Sequence, residues 1–163
     1  MQHLYAPWRQ KYFEQKEDTC VFCNIDEKED EKRGVLFRAK KCYGILNLYP
    51  YTAAHFLIIP YKHLANLEEL DNETWLEMSL YAKYGVEILK KDFKAGGINL
   101  GMNLGSVAGA GVAAHLHYHV LPRYFGDTNF ISTIAQTRVC SANLEESYRL
   151  LKKAFDLKIK ESK

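Results

Sequence analysis

No run of apolar residues in this chain approaches the roughly twenty that a membrane-spanning helix needs, and no charged-then-apolar leader opens it. On that ground neither a membrane span nor export is expected, and the chain reads as cytoplasmic. Charge of one sign is also missing. A formal net charge of +2 is too small to argue for nucleic acid or an anionic membrane as a partner. Cysteine is scarce: four in the chain, which in a reducing compartment pose a question of metal or redox chemistry rather than of a disulfide framework. There is no repeat period and no low-complexity tract. What remains is ordinary globular material. Hydrophobic residues make up 47% and charged residues 26% of 163 positions, enough for one domain to bury a core without disulfide staples.

Along the chain, LYAPWRQKYF is aromatic-rich and interrupted by Pro7, as an arm packed on a body would be. DTCVFC follows, then DEKEDEKRG, a charge run without apolar period that is expected to be a solvated loop ended by Gly34. VLFRAKKCYGILNLYP predicts two short strands with a turn near Lys40 and Lys41, and HFLIIP, residues 55–60, predicts a compact strand stopped by Pro60. The clearest helix is DNETWLEMSLYAKYGVEILKKDF. Trp75, Met78, Ala82, Val86, Leu89 and Phe93 recur there at helical spacing behind Asp71 as N-cap.

GINLGMNLG alternates Ile98, Leu100, Met102 and Leu104 along one strand face, SVAGAGVAA is a small-residue loop, and HLHYHVLPRY returns as a strand. From Asn143 the tail opens like a capping box with Glu146, and Leu144, Tyr148, Leu151 and Phe155 form its apolar stripe. The sum is α+β, a small antiparallel sheet with a main helix across one face. One domain spans 1–163, with a core over about 18–125, an N-terminal arm over 1–17 and a C-terminal extension over 126–163.

Histidine supplies the sharpest signal. Of six in the chain, His115, His117 and His119 occupy alternate positions of HLHYHVLPRY. In a strand they line one face, roughly 6–7 Å apart at each step, while Leu116, Tyr118 and Val120 line the other. Each imidazole is a donor, an acceptor and a nucleophile near neutral pH. Such a row fits a metal site built from all three or a phosphate-handling site; chance alternation on an exposed strand is the bland alternative. Gly105, Gly109 and Gly111 allow backbone N–H groups to approach an anion, or form a mere flexible connector. Set directly before the histidine strand, they favour phosphate.

HLHYHVL matches the His-φ-His-φ-His-φ-φ signature of the histidine triad superfamily of nucleotide hydrolases and transferases. NLYPYTAAHFLIIPYKH, residues 47–63, resembles that family's other signature segment, and with DTCVFC ahead the likeness covers roughly residues 18–123. The resemblance implies an HIT-like fold: an antiparallel five-stranded sheet with a main helix packed across it and a C-terminal helix. It implies that His117 attacks an α-phosphate to form a nucleotidyl-imidazole, that His119 binds and polarises a phosphate oxygen, and that His55 is a further phosphate-side histidine. Asn47 matches the ribose-contacting position, and Asn103 with Gly105 and Ser106 resembles the N-x-G turn near the phosphates. The blander readings are a core histidine opening a strand for His55 and turn residues for Asn47 and Asn103. The chemistry is sound for a neutral ring nitrogen: it displaces a diphosphate-type leaving group, and the cationic phosphoramidate then leaves readily.

Cys20 and Cys23 form a C-x-x-C, ambiguous by itself between zinc, redox chemistry and a reduced packed pair. No thioredoxin-like context supports a redox dithiol. Zinc needs two more soft or borderline ligands, and His63 and His115 are the leading candidates. The pattern resembles the zinc site of galactose-1-phosphate uridylyltransferase and of zinc-bearing triad proteins, which implies a closed structural site in which His115 holds the strand. Cys42 and Cys140 look like small apolar residues.

The chain also departs from the family. Many of its hydrolases carry Gln-Ser or Gln-Thr at the third and fourth positions before the triad, where this chain has Gly111 and Val112, so backbone N–H groups there would serve the phosphate. LYAPWR, GAG and PRYFGDTNFISTIAQTRV look like the bacterial diadenosine tetraphosphate phosphorylase-like, fragile histidine triad-like branch, in which inorganic phosphate releases the nucleotide. Arg123 and Arg138 are candidate phosphate or supporting groups, and Tyr5, Trp8 and Tyr124 either stack on a base or pack.

The reading is an enzyme that transfers a nucleotidyl group from a dinucleoside polyphosphate or AMP derivative to His117 and on to phosphate or water. His119 and a bound water are the candidates for acid assistance, Mg2+ would arrive with the polyphosphate, and a homodimer is implied by the resemblance. Three rivals stay open: a nucleoside phosphoramidate or adenylyl-lysine hydrolase, a non-catalytic nucleotide-binding regulatory module, and a triad that is itself the metal site.

Overall fold

Residues 20–23, 25–137 and 143–162 of a computed structural model of the chain are described. The arm over 1–17 with Tyr5 and Trp8, and also Arg138 and Cys140, lie outside the described residues. Five strands form one sheet in the order β1-β2-β3-β5-β4: β1 Val35–Arg38, β2 Cys42–Leu46, β3 Phe56–Pro60, β4 Gly97–Gly101 and β5 Tyr118–Arg123. Every neighbouring pair is antiparallel. β1 and β2 close through a tight turn in which Ala39 N–H donates to the Cys42 carbonyl, at the Lys40–Lys41 position the sequence marks.

Among the described residues four α-helices accompany the sheet: α1 Asp30–Arg33, α2 Asn72–Asp92, α3 Phe130–Ile134 and α4 Leu144–Glu161. Asp71 caps α2 by accepting from Thr74 N–H, and Asn143 caps α4 by accepting from Glu146 N–H. Both long helices lie on one face of the sheet, burying Met78, Ala82, Ile88, Leu89, Leu151 and Phe155 against Leu36, Phe56, Ile58 and Val120. α2 comes close because Gly85 carries no side chain. A Cβ there would stand 2.4 Å from the Phe56 ring. On the other face Val35, Tyr43, Ile45, Leu57 and Ile59 form a smaller apolar patch, covered in part by Phe22 and Ile25. The histidines belong to this second face, since Leu57 pairs with His119 while Phe56 and Val120 point to the helices.

Three sequence expectations are corrected. The charge run is a 3-10 turn over Glu27–Glu29 followed by α1, because Asp26 accepts from Lys28 N–H at its start and Gly34, at φ 78, closes its end. The strand carrying the triad begins at Tyr118 rather than at His115. Leu116 N–H is drawn off to the Leu64 carbonyl at 2.7 Å, so the ladder with β3 starts at Tyr118 opposite Ile58. β4 in turn stops at Gly101, opposite His119, and leaves Met102 to Leu104 outside the ladder. Leu100 and Leu104 are exposed at this sheet edge instead of forming a buried stripe.

Candidate functional site

Two clusters meet at the start of β5. The first gathers Cys20, Cys23, His63 and His115, whose ligand atoms all lie within 4.8 Å of one another. Cys20 and Cys23 are brought together by a turn in which Cys23 N–H donates to the Cys20 carbonyl. Cys20 Sγ lies 3.3 Å from His115 Nδ1, and Cys23 Sγ lies 3.3 Å from His63 Nδ1 and 3.6 Å from His115 Nδ1. Around a tetrahedral zinc with bonds near 2.3 Å to sulfur and near 2.0 Å to nitrogen, ligand atoms stand roughly 3.3–3.8 Å apart, so these side chains fit the ion.

The surroundings support the same use. His115 is buried and its Nε2–H donates to the Pro60 carbonyl at 2.9 Å, which leaves Nδ1 with its lone pair facing the thiols. Burial lowers the pKa of His115 and keeps it in the neutral, ligating form. Burial and Cys20 push the Cys23 thiol up, an effect that a cation between the two sulfurs would reverse. Among the described residues this is the metal-binding group that forms; His115, His117 and His119 make no such set, so the rival metal triad finds no geometric support.

The second cluster contains His55, His117 and His119. His117 is 7% exposed, and its Nδ1 lies 2.9 Å from the His115 carbonyl, an acceptor only. Nδ1 therefore carries a proton, and in the neutral ring Nε2 holds the lone pair. Phe22, between the two cysteines, packs its ring 5.7 Å from His115 and 5.4 Å from His117, so the cysteine loop also walls these two imidazoles.

The tautomers of His55 and His119 follow from a chain of unambiguous donors. Tyr49 N–H donates to Asn47 Oδ1 at 2.9 Å, which turns the Asn47 amide nitrogen toward His55 Nδ1 at 3.2 Å. Tyr51 N–H donates to the same Nδ1 at 3.3 Å. His55 Nδ1 is thus an acceptor, and its proton sits on Nε2, 3.0 Å from His119 Nδ1. His119 must then carry its own proton on Nε2. That atom is buried without a hydrogen-bond partner among the described residues. Burial, with His119 alongside, pushes His55 down to about 3, and burial with His117 alongside pushes His119 down to about 4. Both rings are neutral at neutral pH, as the chain of bonds requires.

A cleft of about 210 Å3 opens beside His119, lined by Tyr51, Asn99, Gly101 and Asn103 among others. Asn47, His55, His117, His119 and Asn103 are therefore brought together. Gly105, Ser106 and Gly111 lie in the exposed loop before the triad, and the Val112 carbonyl accepts from His115 N–H within that loop. Arg123 is engaged by Asp127 through two nitrogens, and Tyr124 donates its hydroxyl to the Ala53 carbonyl while packing on the core. Sequence reasoning misses Tyr51, whose ring stacks on His119 at 6.2 Å, Phe22 and Asn99. Asn99 has a signal of its own: if Ile98, Leu100 and Met102 share one face of a strand, then Asn99, Gly101 and Asn103 share the other.

Comparison with known proteins finds similar sequences and similar folds. A family model described as HIT domain matches residues 28–126. AP-4-A phosphorylase of Mycobacterium tuberculosis is 35% identical over 161 residues, covering 93% of this chain and 83% of the relative. A zinc-bound histidine triad family protein from Mycobacterium smegmatis superposes with a TM-score of 0.65 at 28% identity, over 80% of this chain and 88% of that one. Plasmodium falciparum diadenosine triphosphate hydrolase, solved with cyclomarin A, superposes with a TM-score of 0.64 at 25% identity, over 82% and 80%.

Proposed function

The chain belongs to the HIT domain family, and from that premise we propose that it is a nucleotidyl-transferring enzyme acting on dinucleoside polyphosphates such as diadenosine tetraphosphate. The observation that carries the reading is the pair of adjacent imidazoles, His117 and His119. In the neutral His117 ring the lone pair is on Nε2, because the His115 carbonyl holds the proton on Nδ1, and His119 keeps an unused Nε2–H. The two rings stand 5.1 Å apart, so a nucleophile and a hydrogen-bond donor can address one phosphate.

In the first step His117 Nε2 attacks the α-phosphorus. The P–N bond forms as the P–O bond to the departing nucleotide breaks, and the electron pair leaves with that oxygen. A neutral His119 with a value near 4 is a hydrogen-bond donor to a phosphoryl oxygen rather than an acid, and a polyphosphate leaving group needs no proton to depart. In the second step an oxygen of inorganic phosphate or water attacks and gives up its proton to solvent. The P–N bond breaks, and the pair returns to Nε2. Asn47 would contact the ribose as well as orient His55. The Gly105, Ser106, Gly111 and Val112 backbone would line the phosphate path, and Mg2+ would enter with the polyphosphate.

Zinc would be held by Cys20, Cys23, His63 and His115, where with four protein ligands it supplies cross-linking rather than reaction chemistry. The resemblance implies a homodimer through the main helix and an edge strand, and the exposed Leu76 and Leu80 on α2 and Leu100 on the edge strand β4 support it. No helix among the described residues is long and apolar enough to cross a membrane.

The test is product analysis with diadenosine tetraphosphate, with and without millimolar inorganic phosphate, using His117→Asn as control. ATP with ADP only when phosphate is present identifies a phosphorylase. ATP with AMP regardless of phosphate identifies a hydrolase. No turnover by wild type, with the variant indistinguishable from it, refutes His117 as nucleophile for this substrate and favours a binding module.

A further inference from the structure

The cleft beside His119 lies over β5, lined by Tyr51 and His55 just before β3 on one flank and by Asn99, Gly101 and Asn103 in and after β4 on the other. His117 does not line it. A nucleotide carried on His117 would leave this cleft to whatever stands on the far side of the phosphorus. In-line displacement puts the departing group, and later the acceptor, on that side.

Two features prepare the cleft for such a group. The first is the fixed amide of Asn99. Arg123 Nη1 donates to Asn99 Oδ1 at 3.1 Å, and a guanidinium only donates, so the amide oxygen must face Arg123. Arg123 is itself held in place by Asp127 through Nε and Nη2 at 2.6 and 2.8 Å. Asn99 Nδ2, without a partner among the described residues, is left as a donor on a residue that lines the cleft. Asn99 sits opposite Leu121, on the sheet face that also carries His119. The second feature is Gly101, directly opposite His119. A Cβ built there meets nothing within 4 Å. No packing demands a glycine at that position, and its missing side chain is part of the open volume of the cleft.

We propose that this cleft is the subsite for the second phosphate of the reaction, taking a phosphoryl group of the departing nucleotide in the first step and inorganic phosphate in the second. Asn99 is its specificity-determining donor, positioned by Arg123 and Asp127. Asn103 and His119 line the same space. The inference rests on the double-displacement reading above. It goes beyond that reading in naming where the acceptor binds and which side chain selects it.

The experiment compares wild type with Asn99→Asp, which replaces the donor by a negative charge, and Gly101→Val, which fills part of the cleft from a position where a Cβ meets nothing within 4 Å. Each protein is given diadenosine tetraphosphate, whose leaving group is a polyphosphate, and the p-nitrophenyl ester of AMP, whose leaving group carries none. The ratio of ADP to AMP formed from the p-nitrophenyl ester at fixed phosphate reports the acceptor. The rate with diadenosine tetraphosphate relative to the rate with the ester reports the leaving phosphate. Both ratios are expected to fall at least tenfold in both variants. A fall in only one of the two would overturn the claim that the departing and arriving phosphates share the cleft. Ratios within twofold of wild type in active enzymes would overturn the subsite alone. Wild type inert toward both donors would overturn the displacement reading, and the subsite with it.

Discussion

Two buried imidazoles should make the fold acid-sensitive, and the size of the effect can be worked from their surroundings. His55 is fully buried and His119 half-buried, with values pushed down to about 3 and about 4 from the ordinary histidine value of 6.5. For a base, a depressed native value means that the unfolded chain takes up the proton first. Above pH 6.5 neither state is protonated, and the pair has no effect on stability. Below it the unfolded chain binds protons that the fold refuses, and stability falls by up to about 1.4 kcal/mol per pH unit for each group. The fall continues until the native values near 4 and 3 are reached.

At pH 5 this amounts to about 2 kcal/mol for each ring, and the partial exposure of His119 brings the sum to about 3 kcal/mol. The assay is urea unfolding at pH 7 and pH 5 for wild type and for a His55→Gln, His119→Gln double variant, both in excess zinc. The zinc donors are the same in both proteins, so their protonation cancels in the difference. A pH-dependent difference below about 1 kcal/mol, or one of opposite sign, would refute the argument that both rings are held neutral by burial.

Cys23→Ser should retain well under one equivalent of zinc per chain by elemental analysis. It should also melt roughly 5 °C lower, as expected for a loss of about 2 kcal/mol in a chain of this size. Full zinc retention would argue against the four-donor site. Gly85→Ala should destabilise by about 1–2 kcal/mol in urea, because the Phe56 ring must move to admit the methyl group. Helix propensity alone predicts the reverse, a gain of about 1 kcal/mol, so a stabilised variant would contradict the close approach of α2 to the sheet.

Helix α2 is legible in the sequence because its signals are local: an N-cap at Asp71 and an apolar stripe at helical spacing. The stripe that is buried drifts to Gly85 and Ile88 and leaves Val86 half-buried, since a helix crossing a twisted sheet is contacted along a line the spacing does not specify. The start of β5 is not legible. HLHYHVLPRY alternates from His115 onward, and only the tertiary bond from Leu116 to Leu64 delays the ladder to Tyr118. In the site, the C-x-x-C and the two histidines that complete the cluster are readable as ligand types with a resemblance to set the pairing. The tautomers of His55 and His119 are not, because they depend on the backbone N–H groups of Tyr49 and Tyr51, which no side-chain pattern records. Asn99 stays hidden for a related reason: a strand face is named by its apolar members, and the polar alternate face gains meaning only once Arg123 is seen beside it.

The central claim is that His117 carries the nucleotide covalently. The most direct measurement is a single turnover of wild-type protein with diadenosine tetraphosphate, without added phosphate, stopped in alkaline denaturant that preserves phosphoramidates and read by peptide mass spectrometry. The account predicts one adenylyl group on His117, diminished when phosphate is added before the stop and missing in His117→Asn. Turnover without any adduct, or an adduct on His55 or His119 in its place, would contradict it.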